Sequence, residues 1–158
     1  MNKKIEKVSG TIAALATARG TAGIAVTRVS GPKAAEIYRK ITNKEPEHMK
    51  ATHTVFYGEG GTRIDSGIAL FFSGPDSYTG EDVFELSSHG SPAIIDVLLE
   101  RLYMLGSREA GPGEFTKRAY LNDKMDLTQA EAVADLIESV SARTAAAATR
   151  SLVGEFSE

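Results

Sequence analysis

The chain has no cysteine among its 158 residues, which excludes disulfides and thiolate metal sites. Only three histidines occur, His48, His53 and His89. None has the His-Glu-x-x-His spacing or another metal signature, so no metal site is expected. No Gly-Lys dipeptide is present, hence no Gly-x-x-x-x-Gly-Lys-[Ser/Thr] phosphate loop. Asn43-Lys44-Glu45-Pro46 resembles a guanine-specificity motif but lacks its Asp. Neither nucleotide recognition nor hydrolysis is expected from these residues. No apolar run approaches the ~20 residues that cross a membrane. Lys3, Lys4 and Lys7 before the Ala-rich stretch to Ala18 imitate a secretory leader. The apolar run from Ile12 to Ala16 is too short for one, and Ser9-Gly10 interrupts what precedes it. A cytoplasmic protein without membrane association is the expectation. A strong excess of basic residues is also missing, with 18 Lys and Arg against 21 Asp and Glu and a net charge of −3. A local basic patch can act within an acidic whole, but direct nucleic-acid contact by this chain is not expected.

What is present is the balance of a globular domain, 42% hydrophobic and 25% charged. Ser30-Gly31-Pro32 precedes Ala34, Ile37, Tyr38 and Ile41, an apolar stripe at helical spacing. Ser91-Pro92 opens a second helix with Ile94, Ile95, Leu98, Leu102 and Leu105 buried. Ser91 is placed to cap it, and Gly106 to close it with a positive φ. Ile24 to Val29 reads as a strand, with Ile24, Val26 and Arg28 on one face and Ala25, Thr27 and Val29 on the other. Thr52 to Tyr57 and Arg63-Ile64 flank Gly58-Glu59-Gly60-Gly61 as a hairpin. Gly67 to Phe72, Asp82 to Leu86 and Ser107 to Ala110 add three further strands. Strands and helices mix without a βαβ repeat, so the expected class is α+β, a mixed β-sheet with packed helices.

From Thr128 the composition shifts to Ala and Glu, with Ala130, Val133, Ala134, Ile137 and Val140 in helical register. Thr128 and Glu131 have capping-box spacing. A single amphipathic helix is expected, needing a partner for its stripe. The chain runs on to Phe156-Ser157-Glu158 without a stop signal, as a fragment would. The division expected is 1–121 for the first domain and 122–158 for the start of a helical one.

Four blocks carry a family resemblance: Gly23 to Gly31 (GIAVTRVSG), Ser77 to Leu86 (SYTGEDVFEL) with His89-Gly90, Gly111 to Leu127 (GPGEFTKRAYLNDKMDL), and Thr128 to Ile137 (TQAEAVADLI). In this order and spacing they resemble the amino-terminal part of the tRNA-modification GTPase family called MnmE or TrmE. The chain departs from the family at Ala18 to Gly23, where a Pro-Pro-Gly-Arg-Gly-Gly loop is usual, and at Ser87 to Ser91, where Gln-Cys-His-Gly-Gly is common. The resemblance implies a tetrahydrofolate-binding domain that forms a homodimer, with a fold similar to the folate-binding domains of glycine-cleavage-type aminomethyltransferases. It implies a 5-formyl- or 5,10-methylene-tetrahydrofolate as one-carbon donor for C5 of the wobble uridine in tRNA. It implies a flavin-dependent partner, MnmG (GidA), with tRNA bound through the complex. GTP, magnesium and potassium would belong to a GTPase domain that this chain lacks.

The family's folate contacts fall on Arg28, Glu85 and Lys124. A carboxylate can accept paired hydrogen bonds from a pterin's amino and ring N–H groups, and cations suit its carbonyl or the anionic tail. Read without the family, Arg28 could pair with a carboxylate across the sheet, Glu85 could be an edge-strand charge, and Lys124 a polar turn. Tyr78 reads as core, His89-Gly90 as the turn leading into the second helix, and Lys117-Arg118 as a solvated helix face. No catalytic residue is expected here. Two other functions remain open, a self-contained aminomethyl transferase and an interaction-only dimerisation module.

Overall fold

The computed structural model describes residues 9–154; the lysine-rich start and Phe156-Ser157-Glu158 lie outside them. The architecture is α+β: one mixed six-stranded sheet with five helices. The elements run β1 (Ile12–Leu15), β2 (Ala22–Ser30), α1 (Ala34–Thr42), β3 (Thr52–Tyr57), β4 (Arg63–Phe72), β5 (Val83–Gly90), α2 (Pro92–Met104), β6 (Arg108–Glu109), α3 (Glu114–Leu121), α4 (Leu127–Glu138) and α5 (Ala142–Leu152). The sheet order is β3-β4-β5-β2-β1-β6, antiparallel except where β6 lies parallel to β1. No helix among the described residues is long and apolar enough to cross a membrane.

Alternation along β2 divides the sheet into two unlike faces. Ala25, Thr27 and Val29 are buried; Val29 shares a core with Phe84 and Leu86 of β5, Ile37, Tyr38 and Ile41 of α1 and Leu98 and Leu102 of α2, while Ala25 packs against Ile95 and Leu99 of α2. The Tyr38 ring meets Phe71 and Phe84 edge-on, each at 5.6 Å between centroids. The other face, bearing Ile24, Val26 and Arg28, has no helix over its far end, and Ile24 is 66% exposed. Near Ser30 this face is closed by α3 and the loop from Ser73 to Asp82, which leave Ile12, Ser30 and Val83 buried. At Gly67 the backbone runs so close to β5 that a Cβ would stand 1.9 Å from the Ser87 carbonyl oxygen. Any larger residue there must push the two strands apart.

Several sequence expectations change in detail. Arg63-Ile64 and Gly67 to Phe72 form one strand, β4, because antiparallel pairing with β3 runs from Arg63 to Ala69. Ser91 makes no side-chain cap; Pro92 and the Ser91 carbonyl bond from the Ile95 N–H begin α2. Gly106 does close that helix, at φ +114°. His89 and Gly90 belong to β5 rather than to a turn.

The terminal segment is two helices, not one. The chain breaks at Ser139 in extended conformation, and Ser141 caps α5 by accepting from the Thr144 N–H. The cap of α4 is Asp126 rather than Thr128: its carboxylate accepts from the Gln129 N–H at 2.7 Å, while Gln129 Oε1 accepts from the Asp126 N–H at 3.0 Å. This reciprocal box satisfies two otherwise orphaned donors. Replacing Asp126 with Ala is expected to destabilise α4 by about 1 kcal/mol, read as faster amide exchange in that helix with the sheet unchanged.

Candidate functional site

Strand register brings the first two candidate residues together. Arg28 of β2 stands directly opposite Glu85 of β5, and alternation puts both on the face away from α1 and α2. Arg28 Nε donates to Glu85 Oε1 at 2.8 Å, with each side chain 25% exposed. Glu85 is therefore not an edge-strand charge, since β5 lies between β4 and β2. Two aromatic rings cover the guanidinium, Tyr78 at 5.0 Å and Phe115 at 5.4 Å from Arg28 Cζ. Both distances are within cation–π range. Tyr78, expected in the core, is only half-buried and hydrogen-bonded through its hydroxyl to Thr116 Oγ1 at 2.8 Å. The ring turns outward because its loop closes over the polar end of the sheet face instead of over the core.

Arg28, Tyr78 and Phe115 border an open cavity of about 1030 Å³, whose other walls include Arg108, Val133 and Ile137. Glu85 is not among its lining residues but is a quarter exposed and bonded to Arg28, which is one of them. Lys124 does not border the cavity either. Its ammonium donates to the Pro75 carbonyl oxygen at 2.8 Å, so it fastens the far side of the loop that carries Tyr78. Asn122 Nδ2 fastens the same loop at the Thr79 carbonyl, 2.7 Å away. Asn122 and Asp123 form a turn, with Asp123 at φ +58°.

Arg118 overturns the reading of a solvated helix face. Lys117 is exposed as expected, but Arg118 is 2% exposed and bound to Glu81, Glu114 and the Gly10 carbonyl. Glu114 and Arg118 are four residues apart on α3, a spacing that signals an ion pair. Arg108 donates to Glu114 Oε2 at 2.9 Å from the other side. The Arg108 bonds, opposed by burial and helped by the Gly111 N–H and Arg118, hold the Glu114 carboxyl down at about 2. Because this value lies below the ordinary 4.5, the ionised group contributes stability above that pH. The contribution is lost as the pH falls from 4.5 towards 2. In thermal melts the gap between wild type and Glu114→Gln is expected to be widest near neutrality and to close over that interval.

His89 is remote from this arrangement, its ring nitrogen 2.9 Å from Asp65 Oδ1. Among the described residues no group of three or more His, Cys, Asp or Glu side chains could hold a metal ion.

Residues 11–124 match the family model described as the GTP-binding protein TrmE N-terminus. The chain belongs to this family. Among curated TrmE-type relatives, the tRNA modification GTPase MnmE of Pseudomonas syringae pv. tomato is 55% identical over 94% of this chain and 32% of its own length. The proteins of the same name from Ectopseudomonas mendocina and Marinomonas sp. are 53% and 54% identical, each again over 94% of this chain and 32% of the relative. The chain thus spans about a third of the length of these relatives. Arg28, Glu85 and Lys124 all lie inside the TrmE match, as do Tyr78, Phe115 and Arg118.

Proposed function

We propose that this chain is the tetrahydrofolate-binding, dimer-forming part of a tRNA-modification GTPase acting on C5 of the wobble uridine. The observation that carries the reading is the unfinished bonding of the Arg28–Glu85 pair. Arg28 uses Nε and Glu85 uses Oε1; the two Nη groups and Oε2 have no hydrogen-bond partner among the described residues. A free carboxylate oxygen beside free guanidinium donors complements a pterin edge that carries N–H donors and a carbonyl. The Tyr78 and Phe115 rings give its flat face something to stack on.

When bound, a 5-formyl- or 5,10-methylene-tetrahydrofolate supplies the one-carbon unit. This chain's own residues bind and orient: Glu85 accepts from the amino and ring N–H groups, and Arg28 donates to oxygen. Lys124 reaches the ligand's oxygens by releasing the Pro75 carbonyl. The roles assigned to these residues are binding and orientation, so the binding-module reading is kept ahead of a self-contained transferase. The exposed apolar side chains Ile24 and Ile68 on the uncovered part of the same sheet face support the homodimer. GTP with its magnesium and potassium ions, the flavin-dependent MnmG partner and tRNA are assigned to the longer protein of this family.

Calorimetry with 5-formyl-tetrahydrofolate on the chain tests the proposal, with sedimentation to read assembly. Saturable binding by a dimer is expected. A folded dimer with no measurable heat of binding would leave the interaction-only reading standing instead.

A further inference from the structure

Arg118 is the largest of the fully buried side chains, and a buried guanidinium persists only where partners satisfy it. Its Nη1 donates to the Gly10 carbonyl at 2.7 Å and to both oxygens of Glu81 at 3.1 Å. Nη2 and Nε donate to Glu114 Oε1 at 3.0 and 3.3 Å. Glu81 in turn accepts from Ser30 Oγ at 2.6 Å, two residues along β2 from Arg28. One side chain therefore ties together the approach to β1, strand β2, the Tyr78 loop and α3.

The two carboxylates it holds are those next to the two aromatic rings. Phe115 follows Glu114 directly. Tyr78 lies three residues before Glu81, in a loop closed on itself by the Ser77 hydroxyl donating to the Glu81 carbonyl. The Tyr78–Thr116 and Asn122–Thr79 bonds also join loop to helix, but both are neutral. Charge-assisted bonds are about twice as strong as neutral ones. The exposed Lys124, beyond the end of α3, adds a charged donor to the Pro75 carbonyl, but the buried joint made of ion pairs to both segments is Arg118.

We propose that Arg118 is a positioning residue for the Arg28 site: by holding Glu81 and Glu114 together it sets how Tyr78 and Phe115 cover the Arg28 guanidinium. Only the identity of the ligand rests on the folate reading; the arrangement of the rings does not. A lysine cannot replace it, because one compact ammonium cannot span Gly10, Glu81 and Glu114 as a planar fork does.

The test is the Arg28 Nε–H resonance of the ¹⁵N-labelled chain, which two ring faces displace from the position of a solvated arginine. In Arg118→Met that displacement is expected to disappear while the amide resonances of β2 to β5 stay in place. Arg118→Lys should recover only part of it. Glu81→Gln keeps the shape and removes one charge, so it should shift the resonance less and in the same direction; it decides the matter if Arg118→Met does not fold. An unmoved Arg28 resonance in either folded variant overturns the proposal. In parallel, 5-formyl-tetrahydrofolate affinity should fall about tenfold in Arg118→Met, a loss of the order seen when groups that orient the ligands of metal sites are removed. Affinity equal to wild type overturns the proposal. Displacement lost from a chain whose wild type binds no folate supports the positioning role and removes the folate reading alone.

Discussion

Replacing Glu85 with Ala should reduce 5-formyl-tetrahydrofolate affinity by about 100-fold or more, with the sedimentation behaviour of the chain unchanged. Two losses combine. The variant removes the acceptor proposed for the pterin N–H groups, and hydrogen bonds to charged groups contribute about 1.5–3 kcal/mol each. It also leaves the Arg28 guanidinium between Tyr78 and Phe115 without its 2.8 Å partner. The fold should survive, because both side chains are a quarter exposed, so water reaches the unpartnered guanidinium and the cost should stay below that of truncating the apolar core. Glu85→Gln separates the two effects. The amide retains a partner for Arg28 but presents mixed donor and acceptor character to the pterin, so an affinity loss close to that of Ala assigns the effect to ligand contact. Binding that persists in both variants would remove Glu85 from the site.

The largest expected loss of stability lies on the opposite face. Phe84 is fully buried, edge-on to Tyr38, and next in sequence to Glu85. Phe84→Ala should cost about 3–5 kcal/mol through lost burial and the cavity left behind, a substantial share of the ~5–15 kcal/mol that holds a typical domain. Denaturant unfolding should show a lower midpoint at nearly unchanged slope. Adjacent positions on β5 thus separate cleanly: Glu85→Ala acts on binding with the midpoint nearly fixed, and Phe84→Ala acts on the midpoint. A variant pair that exchanged these effects would mean the faces of β5 are assigned the wrong way round.

Alternation is why β2 could be read before folding. With one face of the sheet buried, Ala25, Thr27 and Val29 must alternate with the outward set, and Arg28 falls on the half-open side. Helix α2 was equally legible from its long apolar stripe. Strand β1 was not, since Ile12–Leu15 is four residues with two alanines and resembles any short apolar run. Helix α3 spans only eight residues, and its charged side chains suggest solvent. Only the carboxylates of Glu81 and Glu114 make an inward Arg118 affordable, and Glu81 is 37 residues away in sequence. The Arg28–Glu85 pair likewise required register, which neither residue carries by itself. Lys124 matched the family motif but was placed by a local turn, so its outward bond to Pro75 could not be foreseen from the motif.

The strand order also dictates when the site can exist. Strand β2 sits between β1 and β5, and Arg28 meets Glu85 across 57 residues of intervening sequence. The β1–β2 and β3–β4 hairpins can form from near neighbours, whereas the β2–β5 ladder must first close a long stretch of chain, at an entropic cost that grows with its length. Non-local pairing of this kind slows folding relative to helical bundles of similar size. During synthesis Arg28 leaves the ribosome long before Tyr78 and Glu85, and the second aromatic cover, Phe115, follows later still. Binding competence therefore arises late and all at once, so a nascent or truncated chain ending before β5 has two unjoined strand pairs and no pocket.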